Sequence, residues 1–235
     1  VQGESLGPEP LGFSPTITSE IASLPEVEDV LAMQYSNEGL RTVEDSQVKR
    51  IYSADLSSVP NYFNIGLEKS DSSLLGNTAL YILEDEASKY ELGIGSFIGV
   101  EFMDQSQMDL VVAGIFSSKS VIDSGWLLDS SVYSSNMNLA PQTDDFVGVL
   151  IKDGIGEGQA RTALESVLVD YEQVRAQTKD EVKDEAENQI NQTVTIVSVL
   201  LFISVVLAVL GVAITLALSV FERTKEIGLT RAVGA

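Results

Sequence analysis

Residues 193–221 read TVTIVSVLLFISVVLAVLGVAITLALSVF, twenty-nine positions without a charge. A helix crosses a bilayer with about 20 apolar residues. Core helices of soluble proteins seldom run this long without a charge. The stretch therefore reads as a transmembrane helix. It is not the apolar segment of a signal peptide, which stands at the start of a chain.

Outward from this stretch the chain divides into two materials. Its 235 residues carry 14 Lys+Arg against 35 Asp+Glu, a net of −21, yet mean hydropathy is +0.15. Residues 1–192 hold 33 acids and 11 bases, a net of −22, and residues 193–235 hold two acids and three bases. Such an acidic surface repels phosphate backbones, which excludes nucleic acid as a main partner. It also argues against a basic patch for anionic lipid. The chain has no His and no Cys. That removes Ser-His-Asp and Cys-His catalysis, zinc sites built on Cys or His, and disulfides.

The flanks orient the helix. Asp180, Glu181, Asp184, Glu185 and Glu187 precede it with only Lys179 and Lys183, whereas Arg223, Lys225 and Arg231 follow it. Lys and Arg excess marks the cytoplasmic side. Residues 1–192 are thus expected outside a prokaryotic plasma membrane and the C-terminus in the cytoplasm. Starting at Val1 and stopping just past a membrane exit, the chain reads as a fragment of a larger membrane protein.

The acidic part reads as α+β with a mixed or antiparallel sheet. Residues 1–16 carry Gly3, Gly7, Pro8, Pro10, Gly12 and Pro15, an irregular lead-in. Ser14-Pro15 predicts a helix start with Ile17, Ile21 and Leu24 on one face. A strand is expected from Val27 to about Val43, with its partner at Val48, Ile51 and Tyr52. Ala79–Leu83 reads as an apolar strand followed by a short acidic helix, Glu84–Tyr90. Phe97–Phe102 and Leu110–Phe116 read as a strand pair joined by Asp104–Asp109, and Phe146–Ile151 as a buried strand. Gly154, Gly156 and Gly158 lack the following Lys-Ser/Thr of a phosphate loop and read as a turn into a helix carrying Ala160, Ala163, Leu164, Val167 and Leu168. The acidic runs Glu84/Asp85/Glu86 and Asp144/Asp145 could serve as acid and base or hold a divalent cation. Calcium-loop spacing is absent, and they read as solvated surface. No catalytic residue and no metal site are assigned.

Thr178-Lys179-Asp180-Glu181 matches a capping box. No Gly or Pro follows until Gly211, while Val182, Ala186, Ile190, Val194 and Val197 recur at helical spacing. One helix is expected to run from a stalk into the membrane. The expected organisation is an extracytoplasmic domain at 1–177, a stalk at 178–192, a transmembrane helix at 193–221 and a cytoplasmic segment at 222–235. Ser204 and Ala208, and Gly211, Thr215 and Ser219, are spaced by four, which favours packing against other membrane helices.

The last fourteen residues, ERTKEIGLTRAVGA from Glu222 to Ala235, exceed what a membrane exit requires. After LALSVF at 216–221, they resemble the signature of FtsX/MacB-type ABC transporter permeases, roughly E-R-x-[RK]-E-I-G-[LI]-x-[RK]-A-x-G-A. Every specified position is met. SEIASLPEVEDV at 19–30 and the pair YELGIGSFIGVEF at 90–102 and LVVAGIF at 110–116 resemble outer-domain segments of that family. The resemblance implies an outer domain plus second membrane helix of a permease subunit, with further helices beyond. It implies that Glu222, Arg223, Lys225, Glu226, Gly228, Arg231 and Gly234 belong to a region coupled to a separate ABC ATPase subunit. ATP would be bound there, since this chain has no G-x-x-x-x-G-K-[ST] and no cofactor of its own. The partners implied are that ATPase, a second permease copy, the lipid bilayer and an extracytoplasmic protein. The role implied is mechanical transmission for export, lipoprotein extraction or envelope signalling, not enzymatic catalysis. The other reading is a single-pass sensor or adhesion protein with an acidic outer domain.

Overall fold

The computed structural model describes residues 2–3, 12–117, 124–136, 143–171 and 173–234. They fall into two compact units, Val1–Gln177 and Thr178–Ala235. The first is α+β with a mixed sheet, and the second is one helix.

The first unit opens with β1 (Gln2–Gly3), a short strand within the glycine- and proline-rich lead-in that was expected to be irregular. It is held as a strand because its backbone pairs on both sides. Helix α1 (Pro15–Ala22) follows, with Ser14 as N-cap accepting from the Thr16 N–H and Pro15 at the first turn. It buries Ile17 and Ile21, four apart on one face. Strand β2 (Val27–Thr42) is sixteen residues long, and β3 (Val48–Ala54) pairs with it antiparallel. Next come helix α2 (Val59–Tyr62), edge strand β4 (Leu67–Ser70), strand β5 (Ala79–Leu83) and helix α3 (Glu84–Lys89). Strands β6 (Phe97–Phe102) and β7 (Gln107–Phe116) form a hairpin. Strand β7 therefore begins three residues before Leu110. The Asp104–Asp109 connection shrinks to a tight turn, in which Asp104 accepts from the Ser106 N–H and hydroxyl. Strand β8 (Trp126–Asp129), helix α4 (Ser130–Asn136), strand β9 (Phe146–Ile151), helix α5 (Glu157–Leu168) and strand β10 (Val174–Arg175) complete the unit.

Six of these strands close on themselves. Strand β2 pairs with β3, β3 runs parallel to β8, β8 pairs with β5, β5 runs parallel to β7, β7 pairs with β6, and β6 returns to β2. Closure leaves no free edge within the ring. All six strands contribute to one apolar cluster that includes Leu40, Ile51, Leu80, Val100, Leu110 and Trp126, the interior of the ring. Alternate residues Tyr52, Ala54, Tyr81, Leu83 and Leu127 point outward into a second cluster, covered by α2 and the chain at 63–75. This is why β5, ALYIL, is buried at all five positions. At Gly39 the wall is so close that an added Cβ would lie 2.2 Å from Ile51 Cγ1.

A smaller lobe lies beside the ring. There β9 pairs with the first half of β2 and with β1, and β1 pairs with β10. Helices α1 and α5 cover it through Ile17, Ile21, Val147 and Leu168. Strand β9, expected to be buried, is fully covered only at Val147; its other residues are half-buried, Val149 and Ile151 toward this lobe's core, Phe146 and Leu150 toward the ring's outer cluster.

The second unit is helix α6, Lys179–Val233, 55 residues without a break. Thr178 and Glu181 cap it reciprocally. The Thr178 N–H donates to Glu181 Oε2 at 2.9 Å, and the Glu181 N–H donates to Thr178 Oγ1 at 3.2 Å. Residues Val194–Leu229 form an apolar span long enough to cross a membrane, none of it buried by the chain's own fold.

Candidate functional site

Helical geometry places Ser204, Ala208, Gly211, Thr215 and Ser219 on one stripe of α6, at successive offsets of four, three, four and four residues. The Ser204 and Thr215 hydroxyls donate to the carbonyls of Leu200 and Gly211 at 2.8 and 2.9 Å. Turned back on their own helix, they leave a low, self-satisfied surface suited to close approach in lipid. Nothing within 4 Å would meet a Cβ at Gly211.

Glu222, Arg223, Lys225, Glu226, Gly228 and Arg231 all lie in the last turns of the same helix, and Gly234 lies just past its end. Each is exposed. At about 100° per residue they surround the axis instead of sharing a face. Glu222 and Glu226 lie on one side, and Arg231 points well away from Lys225. The helix thus presents charges of both signs around a full turn. Gly228, like Gly211, has open space where a side chain would be. A glycine inside a helix costs about 1 kcal/mol relative to alanine, and among the described residues no packing requires it.

Two polar clusters in the first unit draw acidic residues expected at the solvated surface into contact with buried partners. In one, Lys49 of β3, only 8% exposed, reaches Glu86 of α3 at 2.9 Å. The Trp126 Nε1–H donates to the same Oε2 at 3.0 Å. The Lys49 ammonium stands 5.2 Å from the Tyr90 ring centre and 5.8 Å from that of Trp126. Burial pushes the Glu86 carboxyl up, but hydrogen bonds from Lys49 and Trp126 and the nearby ammonium charges outweigh it and leave it below its ordinary value. Close by, Lys89 bonds Asp45 at 3.0 Å.

The other cluster corrects an expectation. Asp144 and Asp145 are not solvated surface; they are 3% and 7% exposed. Asp144 accepts from the Thr18 hydroxyl of α1 and from Gln34 Nε2 of β2 at 2.8 Å. Asp145 accepts from the Tyr35 N–H at 2.7 Å. Of the other acidic run, Glu84 and Asp85 are exposed as expected, whereas Glu86 is drawn into the Lys49 cluster. The available signals were the position of Asp144-Asp145 directly before the apolar FVGVLI strand and a lone Lys49 within a strand facing apolar partners. Among the described residues, no group of three or more acidic side chains is placed to hold a metal ion.

No family model matches the chain, and no curated protein matches it in sequence. Its fold is similar to the periplasmic region of MacB from Actinobacillus actinomycetemcomitans, with a TM-score of 0.57 at 14% identity, over 80% of this chain and 90% of that one. Looser overlaps are found with a domain described as part of a permease from Porphyromonas gingivalis (TM-score 0.47, 18% identity, 73% and 72% of the two chains). A third is with the extracellular domain of the ABC-type transporter YknZ from Gram-positive bacteria (TM-score 0.49, 13% identity, 74% and 93%). The first of these establishes the fold of the first unit.

Proposed function

We propose that this chain is the outer domain and adjoining membrane helix of a permease subunit of an FtsX/MacB-type ABC transporter. One observation carries this reading: a unit with the fold of the MacB periplasmic region is followed in the same chain by a membrane-length helix ending in ERTKEIGLTRAVGA. On this reading residues 1–192 lie outside the plasma membrane and the last turns of α6 lie in the cytoplasm, against an ABC ATPase that binds the ATP. The stripe from Ser204 to Ser219 packs against another membrane helix of the same subunit or of a second permease copy. The outer unit meets an extracytoplasmic partner or cargo, and the subunit transmits motion for export, lipoprotein extraction or envelope signalling.

Chemistry supports a transmitting role for α6. Its uncharged run spans about 44 Å at 1.5 Å per residue, against about 30 Å of hydrocarbon. With no glycine or proline between Thr178 and Gly211, nothing in that half offers a hinge. The open position at Gly228 suits close approach by a partner's surface, and the mixed charges around it suit a polar, reversible contact.

The test is made in the full-length subunit co-expressed with its ATPase. Exchanging Arg223→Glu and Glu226→Arg keeps any local pair three residues apart but reverses the charges a partner would meet. Gly228→Pro breaks the helix at the proposed contact, at about 3 kcal/mol or more. Both variants are expected to insert normally and to uncouple ATP hydrolysis from transport. If both left coupling and transport at wild-type levels, the role assigned to this segment would be wrong.

A further inference from the structure

Strand β2 belongs to both lobes of the outer unit, and it changes partners at one point. From Val27 to Met33 it pairs with β9; from Gln34 onward it pairs with β3. The last β9 pair is Met33 with Phe146, and the first β3 pair is Gln34 with Ser53. Asp144 and Asp145 are the two residues before Phe146, and both are hydrogen-bonded at this seam through backbone and side chain. The Asp144 backbone pairs with Phe13 through N–H···O bonds of 2.8 and 2.9 Å, tying down the segment that enters α1. Its carboxylate takes Thr18 from α1 and Gln34 from β2. The Asp145 N–H donates to the Met33 carbonyl at 2.9 Å, and its carboxylate takes the Tyr35 N–H. Behind the seam Tyr35, Tyr52 and Phe146 pack as tilted rings, with ring centres 5.0 and 6.1 Å apart.

The two carboxylates are not equally provided for. Asp144 has two side-chain donors, and Asp145 has one backbone donor. The titratable groups facing Asp145 are Asp144 beside it and Tyr133 from α4; β2 offers only an N–H, and the lead-in offers Gly12, next to Thr143. Among the described residues, no cation acts on Asp145. Two adjacent buried carboxylates cannot both be ionised cheaply.

We infer that Asp144-Asp145 is a proton-responsive joint between the two lobes of the outer unit: one proton taken up on Asp145 relieves a buried like-charge pair and tightens the seam where β2 changes partners. Burial, partly offset by the Tyr35 N–H and reinforced by the Asp144 charge, pushes the Asp145 carboxyl up to about 6. The sign follows from that direction. A carboxyl raised in the folded state adds stability that is fully present below its unfolded value of 3.8 and is lost as pH rises through about 6. The joint is therefore tight in mildly acidic surroundings and carries an excess buried charge at neutral pH. An extracytoplasmic domain experiences this window directly.

Asp145→Asn is the matched test, since an amide oxygen still accepts from Tyr35 and the side chain stays neutral. In the full chain in detergent, urea unfolding is followed by the fluorescence of Trp126, the only tryptophan. Between about pH 7.5 and pH 5 the wild-type folding constant should rise about tenfold more than that of the variant. Hydrogen exchange, corrected for intrinsic rate, should show the gain concentrated at Met33–Tyr35 and absent in the variant. An equal pH response in both proteins, or protection gained evenly across the ring, overturns the joint. Should the variant fail to fold, carboxyl-carbon NMR of the wild-type chain decides: a midpoint near 6 at Asp145 supports the inference, and one below about 4.5 refutes it.

Discussion

Replacing Lys49 with Met removes an ammonium and keeps most of the aliphatic stem. Shape-conserving changes of this kind cost less than about 1.5 kcal/mol in packing. The larger loss is electrostatic. Glu86, with a quarter of its side chain exposed, would keep its charge among Trp126 and Tyr90 without the cation 2.9 Å away. Breaking a fully buried pair on one side costs about 3–5 kcal/mol, and the residual exposure of Glu86 lowers this to about 2–3 kcal/mol at pH 7. Glu86 is held below its ordinary value in the wild type, so its contribution is present above that value and lost as pH falls through the lowered one. In Lys49→Met the carboxyl keeps burial, the Trp126 N–H and the weaker pull of the Lys89 charge but loses its closest cation, and it protonates at higher pH. The penalty should therefore shrink as pH falls toward about 4, and Glu86→Gln added to Lys49→Met should recover most of it at pH 7. Trp126 sits in the cluster and reports urea unfolding directly. A penalty under about 0.5 kcal/mol, or the same penalty at both pH values, would refute the argument that the pair is a paired-charge element of the core.

Two smaller perturbations follow from groups already placed. The Ser53 hydroxyl is buried inside the ring with no partner among the described residues, so Ser53→Ala should stabilise by about 1 kcal/mol, read as a higher urea midpoint at unchanged slope. Thr178→Ala removes the acceptor of the Glu181 N–H. It should cost about 1 kcal/mol at the start of α6 and speed hydrogen exchange there about fivefold, without effect beyond the first turns.

How much of this could be read in advance depends on the range of the interaction. Helix α6 was legible because nothing in residues 193–221 competes with it, and its start because Thr178 and Glu181 satisfy each other within four residues. The β2–β3 and β6–β7 hairpins were legible because their partners are neighbours in sequence. The ring was not. Its closure rests on parallel pairs, β3 with β8 and β5 with β7, whose members lie far apart in sequence. Strand β8 is four residues, too short to show a period, and β4 is a polar edge. Asp144 and Asp145 were hidden by averaging: among 33 acids in 192 residues, two more look like surface. Only their tertiary neighbours Thr18, Gln34 and Tyr35 distinguish them. The stripe on α6 and the residues from Glu222 to Gly234 keep the positions their spacing gave them, since a single helix has no tertiary term to override it.

Because α6 is one unbroken helix, it fixes azimuth as well as height. Each residue inserted between 179 and 192 would turn everything beyond it by about 100° and lift it by about 1.5 Å. One extra residue would swing the Ser204–Ser219 stripe away from whatever it faces, together with the Gly228 notch. Seven would return both to within about 20° while shifting them about 10 Å along the axis. The first turns of α6 thus behave as a keyed shaft, whose length tolerates change only in steps that restore the phase of the residues beyond.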